Sequence, residues 1–240
     1  TLNFGLTLYA DAMALFPYVV LATQTFEDGG LGRRVEDERG RWRRGTLTVR
    51  EIWAENPFAG ERQAVLRGGD HQVRVPNIPI THEQIQVAAA TTLPQAPHRA
   101  PARVVLKFLT PTRLVEDERL VKPHSFCFRP FLQRLITRLE DLSDQFSDTP
   151  LVLDVSALLE AAGDVRVADN RLTWEEVSSY STRRNAPSPT SGLVGTVVLQ
   201  AVDWTPFWPW LLWGQVVHVG KDAVKGNGWY EIDGLSPSGI

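Results

Sequence analysis

The stretch His218-Val219-Gly220-Lys221-Asp222-Ala223-Val224-Lys225-Gly226-Asn227-Gly228-Trp229-Tyr230 lies between an apolar segment and a short strand-like run. Its reading decides how the C-terminal half is assembled. Glycine tolerates positive φ and close backbone approach. The spacing Gly-x5-Gly-x-Gly therefore describes either a loop that can lie against a phosphate chain or a plain turn into a last strand. Lysine is scarce outside this loop, which holds Lys221 and Lys225; the others are Lys107 and Lys122. A nucleotide P-loop is excluded, because Asp222 stands where that motif needs a magnesium-binding hydroxyl. A dinucleotide fingerprint is excluded too, since these glycines precede a strand rather than following one and opening a helix.

Working outward, Thr205 to about Val217 reads as a helix and Leu193 to Val202 as a strand, while Trp229 to Ile232 is the final strand. Val165 to Tyr180 reads as an extended strand or a hairpin pair turning at Asp169-Asn170. Phe126 to Leu142 is a helix with an apolar stripe of Leu132, Leu135, Ile136, Leu139 and Leu142, leaving Arg134 and Arg138 on a neighbouring face. Arg103 to Leu109 is a strand ended by Thr110-Pro111. The order strand, helix, strand, strand, helix, strand is the ferredoxin-like plan.

The N-terminal half is less regular. Thr1 to Tyr9 reads as a strand, and Asp11 as the cap of a helix through Leu15, Val19, Ala22 and Phe26. Arg41 to Trp53 reads as one strand and Gln63 to Leu66 as a shorter one. Gly68 to Pro101 lacks pattern and joins the halves. The expected fold is α+β with tandem ferredoxin-like (RRM-like) modules, the first N-terminally incomplete: residues 1–100 for the partial module plus linker, and 101–240 for the second module. The chain opens on Thr1 inside a strand-like run, which suggests a fragment.

The 240 residues carry a formal net charge of −3, which argues against a surface coated for nucleic acid but leaves room for a local patch. Arg33, Arg34, Arg39, Arg41, Arg43 and Arg44 cluster around Glu36, Asp37 and Glu38, as either a solvated hairpin tip or an RNA contact. Cys127 is the single cysteine, which excludes an internal disulfide framework and fits a reducing cytoplasm. No apolar run is long enough for a membrane helix. The stretch Trp204 to Trp213 reads as a buried helix, with Trp208, Trp210 and Trp213 in a core or partner interface rather than stacked on bases.

Five ordered stretches carry a resemblance. They are Leu2 to Gly32 with Gly29-Gly30-Leu31-Gly32, then Phe108 to Leu114 followed by Phe131 to Leu139, then Tyr180-Ser181-Thr182-Arg183, then Gly192-Leu193-Val194-Gly195, and finally Gly214 to Lys221 running on to Gly228-Trp229-Tyr230. Together they resemble the CRISPR-associated endoribonucleases of the RAMP superfamily that process precursor CRISPR RNA (crRNA). That family is similar to two tandem RRM-like folds, with a glycine-rich loop between the last helix and last strand. The sequence departs from it at Ser191-Gly192, where relatives more often carry paired glycines. It also lacks the opening strand, helix and strand, where many relatives keep a catalytic histidine.

The resemblance implies metal-independent cleavage of an RNA repeat, in which a 2′-hydroxyl attacks the adjacent phosphorus to give 2′,3′-cyclic phosphate and 5′-hydroxyl ends. Histidine suits such proton transfers and lysine the developing charge. His218 is the first catalytic candidate, with Lys221; His124, at the entry of the Arg134 helix, is the second. His71, His82 and His98 read as surface residues. Gly220, Lys225, Gly226 and Gly228 are candidates for RNA contact, as are Tyr180, Arg183 and Arg184, since exposed bases favour aromatic and guanidinium faces. No metal or other cofactor is implied. The implied partners are CRISPR repeat RNA or precursor crRNA, other effector subunits and a second copy in a homodimer, with no membrane. Two other readings remain: a non-catalytic RNA-binding subunit of an effector complex, and an interaction module that docks through its Trp-rich helix.

Overall fold

A computed structural model describes residues 3–68, 72–96, 100–181 and 185–235. The chain divides into two compact units, 1–81 and 82–240.

In the first unit a 3₁₀ turn, Ala10–Leu15, leads into helix α1 (Phe16–Gly29). Strands β1 (Leu31–Glu36) and β2 (Trp42–Gly45) form one hairpin, and β3 (Glu51–Asn56) and β4 (Glu61–Arg67) another. A small core joins Phe16 and Val20 of α1 to Val65 and Leu66 of β4. The apolar face of α1 thus falls on Phe16 and Val20 rather than on Leu15, which stays exposed. Asp11 sits in the first 3₁₀ turn, and the cap position belongs to Tyr9.

Two expected strands are corrected. Residues 3–9 form no strand, because alternation supplies a face but not a partner strand, and Phe4 and Leu6 are exposed. Arg41 to Trp53 is not one strand but the separate β2 and β3, each closed by its own hairpin.

The second unit begins with helix α2 (His82–Thr92), inside the stretch that lacked pattern. There follow β5 (Ala102–Thr112), a small hairpin of β6 (Val115–Glu116) and β7 (Arg119–Leu120), and α3 (Phe128–Phe146). Helix α4 (Val155–Ala161) has no counterpart in the sequence reading; Asp154 caps it by accepting the Ala157 N–H at 3.0 Å. Then come β8 (Arg166–Glu175), β9 (Ser178–Ser181), β10 (Ala186–Pro189), β11 (Gly192–Ala201), α5 (Trp208–Val217) and β12 (Tyr230–Ile232). Strands β12, β5, β11 and β8 pair in that order, all antiparallel. With α3 and α5 as crossovers, this is the ferredoxin-like arrangement.

The periodicity of α3 explains its seat. Phe128, Phe131, Leu132, Leu135, Ile136 and Leu139 recur at helical spacing and are all buried. On β5, Val104, Leu106 and Phe108 alternate inward while Arg103 and Lys107 are exposed. Phe108, Phe131 and Tyr230 meet with ring centroids 5.3 to 6.1 Å apart. Trp204, Phe207 and Trp208 are buried as expected, whereas Trp210 and Trp213 are half-buried and stack on His82 of α2.

The reading of a turn at Asp169-Asn170 is also corrected. β8 runs straight through, and Val198 faces Asp169 while Leu199 faces Val167, leaving Ala168 as a bulge. Asn170 uses its side chain locally, donating to the Pro123 carbonyl and accepting the Leu172 N–H. Both residues pair regularly with β11, which holds the strand continuous.

Candidate active site at the glycine-rich loop

The register places Tyr230 opposite Phe108, Leu193 opposite Thr112 and Gly192 opposite Glu175. One end of the sheet therefore gathers the end of β5, the start of β11, the β9–β10 hairpin and the loop that leads into β12.

Helix α5 ends where His218 adopts φ +63, ψ 169, its N–H still bonded to the Gly214 carbonyl. A non-glycine residue in this region is uncommon and directs the chain sharply off the helix axis. The next turns fold the loop onto its neighbours: Val219 N–H donates to the Gly228 carbonyl, Lys221 N–H to Arg113, and Gly228 N–H to Pro111. A Cβ at Gly220 would stand 2.6 Å from the Arg113 carbonyl oxygen, and one at Gly228 would collide with that of Val219. Both glycines have positive φ. Their freedom is thus needed by the loop's own packing, and the turn alternative accounts for these two positions. Gly226 differs, for its φ is +92 but a Cβ there would meet open space.

The His218 ring lies 6.3 Å from the Trp229 ring and nearly parallel to it. Burial lowers its pKa below the ordinary histidine value; a hydrogen bond to the Asn227 backbone opposes this, and the Arg138 charge adds to the lowering. Asn227 is itself buried and donates to the Thr190 carbonyl at 3.0 Å, tying the loop to the β10–β11 corner. Trp229 and Asn227 were not singled out from sequence. The aromatic next to two glycines was the available signal.

Lys221 is exposed, with no ion pair among the described residues. Lys225 is held by Asp222 at 2.6 Å. His124 is exposed in the 3₁₀ turn Pro123–Ser125, which Asn170 anchors to β8. That is the edge strand opposite β12, so the two histidine candidates serve different edges of the sheet. Arg134 donates Nε and Nη2 to the Val115 carbonyl at 2.8 and 2.6 Å, and Arg138 donates Nε to Val217. Tyr180 belongs to β9, paired with Pro187, but its side chain lies outside the described residues, as do Arg183 and Arg184. His71 and His98 also lie outside them, whereas His82 is exposed as expected. At Ser191, the position noted as a departure from the family pattern, the hydroxyl donates to Glu176 at 2.7 Å and accepts the Val177 N–H. Among the described residues no three His, Cys, Asp or Glu side chains gather as a metal would need, and no helix is long and apolar enough to cross a membrane.

The family model for the CRISPR-associated endoribonuclease Cas6 matches residues 106–230, just over half of the chain, and a second model, described as an N-terminal domain, matches residues 1–78. Comparison with curated proteins finds no match. Among solved structures, Thermus thermophilus Cas6 (TTHB231) is similar at 18% identity and TM-score 0.45, over 64% of this chain and 58% of that one. The Cas6 (TTHA0078) substrate mimic complex is similar at 16% identity and TM-score 0.41, over 92% of this chain and 75% of that one. A partial Cas6-RT-Cas1–Cas2 complex gives 16% identity and TM-score 0.46, over 66% of this chain and 27% of that one. The chain thus spans less than two thirds of the length of the first and last of these proteins. With the model's match running from β5 through the glycine-rich loop to Tyr230, the chain belongs to the CRISPR-associated endoribonuclease Cas6 family.

Proposed function

We propose that this chain binds CRISPR repeat RNA and cleaves precursor crRNA by metal-independent attack of a 2′-hydroxyl, leaving 2′,3′-cyclic phosphate and 5′-hydroxyl ends. His218 and Lys221 are the catalytic pair. The observation that carries this reading is the His218 ring, half-buried three residues before an exposed lysine within the segment the family model matches.

A lowered pKa keeps the imidazole neutral near pH 7, the state a general base needs. With one ring N–H given to the Asn227 carbonyl, the other nitrogen offers its lone pair to the 2′-hydroxyl proton. The 2′-oxygen then bonds to phosphorus as the bond to the 5′-oxygen breaks, and that oxygen takes its proton from water. Lys221 stabilises the charge on the phosphorane. Gly220, Gly226 and Gly228 bring the backbone near the phosphate, and Lys225 joins them once it leaves Asp222. Tyr180, Arg183 and Arg184 are assigned to RNA contact, an aromatic face for a base and guanidinium groups for phosphate.

A non-catalytic RNA grip in an effector complex is the second reading. It is favoured by the internal use of Gly220 and Gly228 and by the pairing of Lys225 with Asp222. A gel assay with labelled repeat RNA in excess chelator separates the two. Cleavage that survives chelation and is blocked by a 2′-deoxy sugar at the cut is the expected result. His218→Asn, which keeps a residue tolerant of positive φ, should slow cutting about 10²- to 10⁴-fold while sparing binding. Undiminished cutting by that variant removes His218 from the mechanism; salt-sensitive binding without any cutting favours the second reading.

A further inference from the structure

The β1–β2 hairpin is basic in a chain that is net negative. Residues 31–45 hold six arginines against three acids, while the whole chain carries −3. Asp37 is already committed within the hairpin: Arg41 and Arg43 each place Nε 3.2 Å from its Oδ2, and its Oδ1 accepts the Arg39 and Arg41 N–H groups. Alternation along β2 puts Trp42 and Arg44 on the face opposite Arg43 and Asp37. Arg34 and Arg44 both stand in the irregular part of the ladder, between Leu31↔Gly45 and Val35↔Arg43. Arg34 and Arg44 form no ion pair among the described residues, and Trp42 is 64% exposed. Glu36, opposite Trp42, offsets part of this charge.

An exposed indole two residues from the uncommitted Arg44, with Arg34 on the adjoining strand, is poorly placed for folding and well matched to a single strand, whose bases stack on aromatics while its phosphates take arginine. We propose that this face of the β1–β2 hairpin grips single-stranded RNA without regard to sequence, with Arg34 and Arg44 on phosphates and Trp42 under a base. The proposal rests on the RNA-binding reading above and adds to it a contact surface in the N-terminal unit.

The test measures anisotropy of fluorescein-labelled oligouridine and of labelled CRISPR repeat RNA, each across a salt series, with the full chain. Arg34→Ala/Arg44→Ala should weaken oligouridine binding about tenfold and flatten the plot of log affinity against log salt by about 0.7 per phosphate contact removed. Trp42→Ala should weaken binding on the order of tenfold with the salt slope unchanged. In the unaltered protein, 4-thiouridine photocrosslinks should map within residues 31–45, which guards against a variant that merely misfolds. Unchanged affinity and slope, or no crosslink in that segment, overturns the proposal and leaves the hairpin to a protein partner. Binding of repeat RNA but not oligouridine overturns the sequence-independent grip while the functional reading stands. If neither RNA binds, both fall.

Discussion

The two units of this protein use the same kinds of residue in opposite ways. In the C-terminal unit, four paired strands present one face to α3 and α5, so aromatic side chains go inside: Phe108, Phe128, Phe131, Trp204, Trp208 and Tyr230 are all buried. Polar groups there find internal partners, as when the Tyr230 hydroxyl donates to the Leu211 carbonyl and Arg134 to Val115. Among the described residues, the sheets of the N-terminal unit are two-stranded hairpins. Such hairpins cover little surface, and Leu15, Tyr18, Leu21, Val35 and Trp42 remain exposed. Trp204 and Trp208 are structural in one unit, whereas Trp42 is displayed in the other. Sheet size, not composition, makes the difference.

The comparison breaks most visibly in the cores. Phe131→Ala should destabilise the C-terminal unit by about 3–5 kcal/mol, because a fully buried ring leaves a cavity among Phe108, Phe128 and Tyr230. Val20→Ala should cost less in the N-terminal unit. Amide exchange read strand by strand checks both, with β5 and β11 exchanging far more slowly than β1 and β2. Equal protection of the two sets would erase the contrast.

The loop offers a sharper version. Gly228→Ala forces a Cβ onto the Val219 backbone at positive φ and should cost more than about 2 kcal/mol, beyond the left-handed penalty alone. Gly226→Ala meets open space and should cost about 1 kcal/mol. Denaturant midpoints of the two variants decide whether close packing, and not only φ, selects these glycines.

A pH series tests the burial of His218. Its pKa is lowered in the folded state, so the unfolded chain binds the proton more readily. The stability this ring supports is therefore present above its ordinary pKa of about 6.5 and is lost as pH falls toward the lowered folded value. Stability should drop below about pH 6.5 in the natural chain, and less steeply in His218→Asn. Matching curves would mean that the ring is solvated. The smallest effect belongs to Lys225→Ala, which removes an exposed pair with Asp222 and should change stability by about 0–1 kcal/mol in thermal melts.

The C-terminal unit was legible in sequence because its helices and strands bury one face, and burial writes a period into the chain. The stripe of α3, the alternation of β5 and the loop before β12 could all be read that way. Helix α2 escaped because its sequence, His82 to Thr92, buries only Ile85 and Ala89 and is otherwise rich in small and polar residues. The first strand and the long Arg41 to Trp53 strand were misread for a related reason: alternation records a face, and a face without a neighbour does not make a sheet. Asp169-Asn170 carries turn chemistry, yet ten residues of β11 alongside held β8 extended.

The sequence by itself determined the succession of β5, α3, β8, β11, α5 and β12, the inward faces of α3 and β5, and the glycine positions of the loop, because each depends on local backbone freedom or on a repeating apolar period. Tertiary structure alone decided which candidates meet. It placed His218 against Trp229 and Asn227, separated it from His124 by the width of the sheet, tied Lys225 to Asp222 and left Lys221 exposed. Those outcomes depend on which strands pair and on which carbonyl each loop N–H finds, and such long-range pairings leave no period in the chain.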